Sequence, residues 1–553
     1  MADTIDWRPP HQPRRRRGLP LLIGVLAVLF LGGGAVLSYY VDALWFESLG
    51  VADVFWTTLR LQGQTFTFFF AATFLILYGA FLALKPARLG ELAGLPILIN
   101  GQPIKLPVEP VIRLAAVGGS LVIAVATGAA MMSEWNVYAL YWQGAAAARA
   151  IGSPMIDPIF GRPLPFYLFT LPVWQLVSGW LMTLSVIVGA VAAFFVMITG
   201  GTRILGGRRD SSASALQGLS IAFAFVMVML AVRVYLGRFE RLFEDHTIFA
   251  GVTYAEAHVT LTGLLVVAIA LALGALLALV NAVAAPRVRW LVLAIAPAAA
   301  CYVITGVASW YVTSFIVKPN ELVREAPYIK HNIEMTRMAF GLDRVEQHAF
   351  AADGGVEAVD AAHNQDTLQN IRLWDWRALQ DTLRQIQEIR TYYDFPDIDI
   401  DRYTVNGSTR QMMLAARELS IEKLPESSRN WINEKLIYTH GYGVTMNPVN
   451  GFTPEGMPAL ILSNMPVQST IPAIKVTRPE IYFGELTDTD VYVKTRQKEF
   501  NFPQGETNSL TSYAGNGGIV LGGFLRRLIV ALDRGDLAKL PFSDDVTAES
   551  RLL

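Results

Sequence analysis

The stretch Ala308-Ser-Trp-Tyr-Val-Thr-Ser-Phe-Ile-Val-Lys-Pro-Asn-Glu-Leu-Val-Arg-Glu325 divides the chain in two. Before it, apolar segments of bilayer-spanning length dominate. After it, charge returns and no apolar run of that length recurs up to Leu553. Trp310 and Tyr311 suit a polar–apolar interface, and Lys318-Pro319 suits a helix that stops there. The expected organisation is a membrane α-helical bundle followed by an α+β extracytoplasmic domain. The boundaries are a basic cytoplasmic tail over 1–18, a bundle over 19–317 and the outer domain over 318–553.

Composition agrees with a bilayer. Of 553 residues 53% are hydrophobic and only 16% charged, where soluble chains carry roughly 25% charged residues. The formal net charge of −1 gives no reason to expect nucleic-acid binding. The one cysteine, Cys301, rules out an intramolecular disulfide and a zinc–cysteine cluster.

Working back towards the N-terminus, the first 18 residues are polar and end in Arg14-Arg15-Arg16-Arg17, so they are expected to be disordered. The apolar run Leu19–Tyr40 exceeds a signal-peptide core of about 7–15 residues and lacks a small-residue cleavage site, so it is read as a retained helix. Six more spans are expected, at Thr65–Leu84, Val111–Met131, Trp174–Thr199, Gly218–Leu236, Val259–Val283 and Arg289–Val317. Each reaches the roughly 20 residues that a hydrocarbon core requires. The count is about seven.

Basic residues gather in alternate connections: the arginines before Leu19; Lys85, Arg88 and Lys105; Arg203, Arg208 and Arg209; Arg287 and Arg289. Positive loops stay cytoplasmic. The N-terminus is therefore expected inside and everything after Val317 outside, with the lipid bilayer as the first partner.

Two outer connections are rich in aromatics. Val41–Leu61, with Trp45, Phe46, Phe55 and Trp56, is expected to lie as an interfacial helix. Ser133–Pro172 is expected to form an aromatic belt and turn-rich cap, with a substrate vestibule as the alternative. Arg113 and Arg233 lie near helix ends, where long side chains snorkel. No acid or histidine sits near a helix centre, which weighs against an ion-coupled transporter.

Beyond the boundary, Ala326–Ala339 and Leu368–Tyr392 read as helices, and the segments flanking Asn406-Gly407 as a hairpin. Alternation puts Asp397, Asp399 and Asp401 on one strand face. They are weak candidates for a calcium site, because the loop glycine and distal glutamate of an EF-hand are missing. His440, between aromatics and beside Gly441 and Gly443, is a weak candidate base, with Glu480 and Glu485 as carboxylate partners. No nucleophile elbow accompanies it. The glycines of Tyr513–Gly523 match neither a P-loop nor a dinucleotide fingerprint, so no cofactor is expected. Phe524–Asp533 is expected to be an amphipathic helix with Arg526 and Arg527 facing water.

Several long motifs carry a resemblance. They are Asp42-Ala-Leu-Trp-Phe-Glu-Ser-Leu-Gly50, Asp157-Pro-Ile-Phe-Gly161 with Phe166-Tyr-Leu-Phe-Thr-Leu-Pro172, and Lys318-Pro-Asn-Glu321 with Pro327-Tyr-Ile329. Arg390-Thr-Tyr-Tyr-Asp-Phe-Pro396, Tyr438-Thr-His-Gly-Tyr-Gly443 and Arg478-Pro-Glu-Ile-Tyr-Phe-Gly-Glu485 complete the set. With these the chain resembles uncharacterised protein family 0182, over nearly its whole length after residue 18. The resemblance implies a large bacterial multi-pass membrane protein with an extracytoplasmic domain, and it brings no reaction, cofactor or catalytic residue. Members typically continue past the segment resembling Thr547-Ala-Glu-Ser-Arg551, which implies that the outer domain is truncated.

Three functions are compatible with these residues. The first is an envelope protein whose bundle anchors an outer domain that binds a protein, lipid or glycan. The second is a transporter or lipid-handling protein, which requires a polar cavity among the helices near Arg113 or Arg233. The third is an envelope enzyme, which requires His440 to converge with carboxylates.

Overall fold

The computed structural model describes residues 18–85, 97–99, 102–104, 108–150, 155–201, 210–246, 249–284, 286–349 and 364–553. The tail over 1–18 lies outside them except for Gly18, as do Arg88, Lys105, Arg203, Arg208 and Arg209. The chain divides into two compact units, Met1–Thr57 with Ala349–Leu553, and Thr58–His348.

The helices run α1 Gly18–Ser48, α2 Ala52–Leu84, α3 Val108–Ser133, α4 Trp135–Ala150, α5 Leu171–Gly201, α6 Asp210–Glu240, α7 Leu261–Ala284, α8 Val288–Tyr311 and α9 Glu321–Ala339. A short antiparallel pair, β1 Ile97–Ile99 with β2 Gln102–Ile104, lies between α2 and α3. Among the described residues six helical stretches are long and apolar enough to cross a membrane: Ala52–Leu84, Glu109–Ser133, Phe166–Ile198, Ala215–Phe243, Glu256–Ala284 and Val288–Ala339. The 31-residue α1 covers the first expected segment. The bundle is therefore close to the expected seven helices.

Small residues set its closest contacts. A Cβ on Gly274 of α7 would fall 2.2 Å from the Ala294 carbonyl oxygen of α8, so only glycine lets these backbones approach this far. Ala275, Ala278, Ala294 and Ala298 are buried along the same two helices.

Two expectations change. Val41–Leu61 holds no separate interfacial helix: α1 continues to Ser48, turns at Gly50 in a left-handed conformation, and α2 starts at Ala52. Phe46 and Phe55 meet across that turn at 5.5 Å between ring centroids. Nor does the last span stop at Lys318-Pro319. A π-helical turn, Val312–Val317, and a 3-10 turn, Lys318–Asn320, carry the helix into α9. Pro319 sits in the first turn of that 3-10 segment, where its missing N–H leaves no bond unmade.

Besides α1, the described residues of the unit containing the C-terminal domain form small sheets and the helices α10 Gln365–Leu368, α11 Trp376–Gln387 and α12 Phe524–Asp533. Its strands, in order, are β3 Tyr393–Asp394, β4 Asp399–Val405, β5 Ser408–Ala416, β6 Glu418–Leu419, β7 Gly441–Tyr442, β8 Val444–Pro448, β9 Leu462–Ser463 and β10 Gln468–Ser469. They continue with β11 Glu480–Ile481, β12 Tyr492–Val493, β13 Glu499–Gln504, β14 Thr507–Thr511, β15 Ile519–Val520 and β16 Arg551–Leu552. The main sheet is antiparallel in the order β10-β9-β8-β5-β4. Asn406 and Gly407 both take positive φ (51° and 86°) in the two-residue turn joining β4 to β5, as a tight right-twisted hairpin demands.

Period-two alternation on β5 feeds two cores. Met413 and Ala415 pack with Leu379 and Leu383 of α11, while Met412 packs with Val405, Met446 and Leu462. A third core joins Leu436, Tyr492, Ile519, Leu521, Val530 and Leu552 to Val41 and Leu44 of α1. The first helix thus ends inside the core of this unit.

Candidate functional site

The helical unit holds the clearest site. An open groove of about 770 Å³ lies between the end of α3, the start of α4, α5 and α6. Its walls are largely apolar, with Thr127, Glu134, Gln175, Thr183 and Arg233 supplying polar groups. Arg233 stands seven residues before the end of α6, about 10 Å along the axis at the helical rise of about 1.5 Å. A Cβ at Gly179 of α5 would fall 3.0 Å from the Arg233 Nη1 atom, so the missing side chain there makes room for the guanidinium.

No ion pair engages Arg233 among the described residues, although Glu240 on the same helix accepts a 2.8 Å hydrogen bond from the Gln175 amide. The floor is fixed by Trp180, whose indole N–H donates to Thr73 Oγ1 at 3.0 Å and whose ring meets Phe69 edge-on. A cation inside a membrane-spanning segment costs about 2.5–3.5 kcal/mol on insertion scales. Arg233, two turns from the end of α6 and exposed, sits away from the helix centre to which that cost applies, beside the apolar walls. The remaining arginine flagged in the spans, Arg113, pairs with Glu109 one turn away at 2.7 Å.

A second, more apolar cavity of about 440 Å³ is walled by Met155–Leu164, the connection after α6 and the end of α9. The Pro-rich stretch expected as a cap or vestibule forms this wall. Asp157 holds it in shape by accepting from the Ile159, Phe160 and Arg162 backbone N–H groups and from the Tyr167 hydroxyl at 2.7 Å. Close by, Glu256 is buried at the π-helical entry to α7. It accepts from Thr253 N at 3.0 Å and lies 3.2 Å from His246 Nε2.

In the other unit, His440 is buried and meets Glu499, which sequence reasoning passed over. Thr439 Oγ1 donates to Glu499 Oε2 at 2.8 Å and lies 2.9 Å from His440 Nδ1. The hydroxyl has one proton and spends it on the carboxylate, so the Nδ1–H of His440 donates to Thr439. Tyr482 O–H and Tyr513 N–H also donate to Glu499, at 2.7 and 2.8 Å. Burial pushes the Glu499 carboxyl up, but these donors outweigh it and hold the group below the ordinary carboxylate value. The adjoining void is only about 20 Å³, room for a single water.

No hydrogen bond or ion pair joins His440 to Glu480 or Glu485. Glu480 lies opposite Tyr442 in the β11–β7 pair, with its Oε2 buried and unbonded. Glu485 is exposed. Asp397, Asp399 and Asp401 are exposed too, and among the described residues no three His, Cys, Asp or Glu side chains gather to hold a metal ion.

The signal that would have found Glu499 is weak: an acid at the head of the alternating Glu499-Phe-Asn-Phe-Pro strand, at a position pointing inward. Arg417 was likewise passed over. It is fully buried, donates to the Gln387 and Tyr442 carbonyls at 2.8 and 3.0 Å, and burial pushes its guanidinium down to about 10.

Comparison with known proteins adds a family and no activity. A family model described as "Uncharacterised protein family (UPF0182)" matches residues 19–553. A UPF0182 protein of Pelotomaculum thermopropionicum is 35% identical over 527 residues, covering 93% of this chain and 56% of that protein. One from Trichodesmium erythraeum is 32% identical over 517 residues, covering 92% and 54%. Another, from Bradyrhizobium diazoefficiens, is 33% identical over 571 residues, covering 100% and 60%. The chain thus spans little more than half the length of these relatives. No solved structure matches it. With a match that runs from the first apolar helix to the last residue, the chain belongs to the uncharacterised protein family UPF0182.

Proposed function

We propose that this is an integral membrane protein of the bacterial cell envelope whose helical unit takes up an anionic amphiphile, with a headgroup at Arg233 and an acyl chain along the apolar walls. The observation that carries this reading is the open 770 Å³ groove beside an arginine with no ion-pair partner among the described residues. A largely apolar groove edged by one cation suits an acyl chain with an anionic headgroup, and intramembrane ionisable groups mark ligand paths. The 440 Å³ apolar cavity behind the Pro-rich wall supports the same chemistry.

The test is lipid extraction and mass spectrometry of the full chain purified in mild detergent. A charge-assisted hydrogen bond contributes about 1.5–3 kcal/mol, so Arg233→Gln is expected to reduce retention of acidic lipid by roughly ten- to a hundredfold. An unchanged lipid profile in the variant overturns the reading.

A second reading, in which the bundle anchors the C-terminal domain for a protein or glycan partner, draws support from Val41 and Leu44 of α1 in that domain's core. A stoichiometric copurifying protein, with no bound lipid, would favour it. The enzymatic reading draws little support from the closed network at His440. Both surviving readings put the C-terminal domain outside the cell, in line with the basic connections at Lys85 and Arg287. A protease site introduced at Glu346–His348 should then be cut by protease added to intact spheroplasts. Cleavage only after lysis would reverse the orientation.

A further inference from the structure

Helix α12 is amphipathic, but inside out. Phe524, Leu525, Leu528 and Leu532 share one face, at the i, i+1, i+4, i+8 spacing of a single helical stripe. That face is the open one: Leu525 is 70% exposed, Phe524 56% and Leu532 47%. Phe542, also exposed, extends it by packing its ring 6.1 Å from that of Phe524.

The arginines turn the other way. Arg526 Nη1 donates to the Val520 carbonyl at 3.2 Å, and Arg527 Nη1 to the Val546 carbonyl at 2.9 Å. The sequence pattern predicts these two side chains facing water, and the structure reverses that. A helix that spends its cations on interior carbonyls and leaves its leucines uncovered is built to meet an apolar medium.

What covers it is indicated by α1. The inner face of α12, at Val530 and Ala531, packs in the same core as Val41 and Leu44 of α1. Along α1 the exposed side chains change character at one point: before Val41 they include Val36, Tyr39 and Tyr40, and after it Asp42 and Glu47, while Val41 and Leu44 are buried. A helix whose exposed residues carry no charge up to Tyr40 among those described, and include acids from Asp42, leaves the bilayer there, with two tyrosines at the interface. Leu44 is four residues further, about 6 Å along the axis, less than the width of one helix. This sets α12 beside the point where α1 leaves the bilayer. Phe483, 60% exposed and edge-on to Trp45 at 6.1 Å, adds a second apolar contact at the same exit.

We infer that α12 is a monolayer-docking helix: Phe524, Leu525, Leu528, Leu532 and Phe542 enter the headgroup–acyl boundary of the leaflet from which α1 emerges. The geometry is that of an interfacial helix, apolar face down and axis along the surface. Its arginines do not take part, so docking is hydrophobic and insensitive to lipid charge.

The experiment uses the full chain with Cys301→Ser and Leu525→Cys, carrying an environment-sensitive maleimide fluorophore, in phosphatidylcholine vesicles. Asp399→Cys on exposed β4 is the control. The expected result is blue-shifted emission at Leu525 that is quenched by lipid brominated near the headgroup, with neither effect at Asp399. Adding phosphatidylglycerol should leave both unchanged. Water-like emission at Leu525 overturns the proposal. Blue-shifted emission without lipid quenching also overturns it, because a second copy or another protein then covers the face. Leu525 projects from the surface, so its replacement is compatible with folding.

Discussion

At Glu499 three donors, Thr439, Tyr482 and Tyr513, surround a carboxylate removed from water. Its folded pKa lies below the ordinary value, so its stabilising contribution is present above the unfolded carboxylate pKa. That contribution is lost as pH falls through the depressed folded value. Glu499→Gln keeps the shape but loses the charge-assisted bonds. We expect it to cost about 2–3 kcal/mol near neutral pH. Hydrogen exchange of peptides covering β13 and β14 should report this, with the gap to wild type closing below about pH 4. A gap that stays constant down to pH 3 would remove the charge from the account. His440 was legible as a residue of interest because its glycine and aromatic neighbours are unusual. Its partner was not, since 59 residues separate the two and only the packing of β13 beside the His440 segment brings them together.

Among the elements, the apolar middles of the spanning helices were legible, because a bilayer imposes length and hydropathy locally; several ends were not, since α2 starts at Ala52 and the last stretch runs on to Ala339. Nor were their irregularities. The π turns at Phe166–Thr170, Glu256–Thr260 and Val312–Val317 depend on what each helix packs against. Two-residue strands such as β12 and β16 exist only because their partners are brought near, and no periodicity encodes them. For α12 the stripe was legible and its direction was not, since a pattern of apolar residues does not say whether protein or lipid meets it. The α7–α8 contact offers a test at this scale. In Gly274→Val the new side chain must displace the Ala294 carbonyl and the Met227 methyl. We expect a loss of about 1–3 kcal/mol, read as a lower unfolding midpoint of the detergent-solubilised chain, with Gly306→Val, which meets open space, as the tolerated control.

On the scale of the whole molecule, a boundary in composition and a boundary in packing do not coincide. Charge and hydropathy change after Val317, whereas the contacts group Met1–Thr57 with Ala349–Leu553. The first boundary is written in the sequence, because solvent sorts residues by type. The second depends on Val41 and Leu44 finding Leu436, Tyr492 and Val530 some four hundred residues later, which no local pattern encodes.

That shared core has a mechanical consequence. A domain tethered by one linker is shed when the linker is cut, and many surface proteins are released from cells in this way. Here a single nick at Glu346–His348 should free nothing: the C-terminal fragment remains clasped to α1, as a two-piece protein whose halves are held by burial instead of a peptide bond. The nicked fragment is expected to sediment with the membranes after washing in high salt and to enter the supernatant only in denaturant. Val41→Asp, which puts a charge into that clasp, should make the same nick a releasing one.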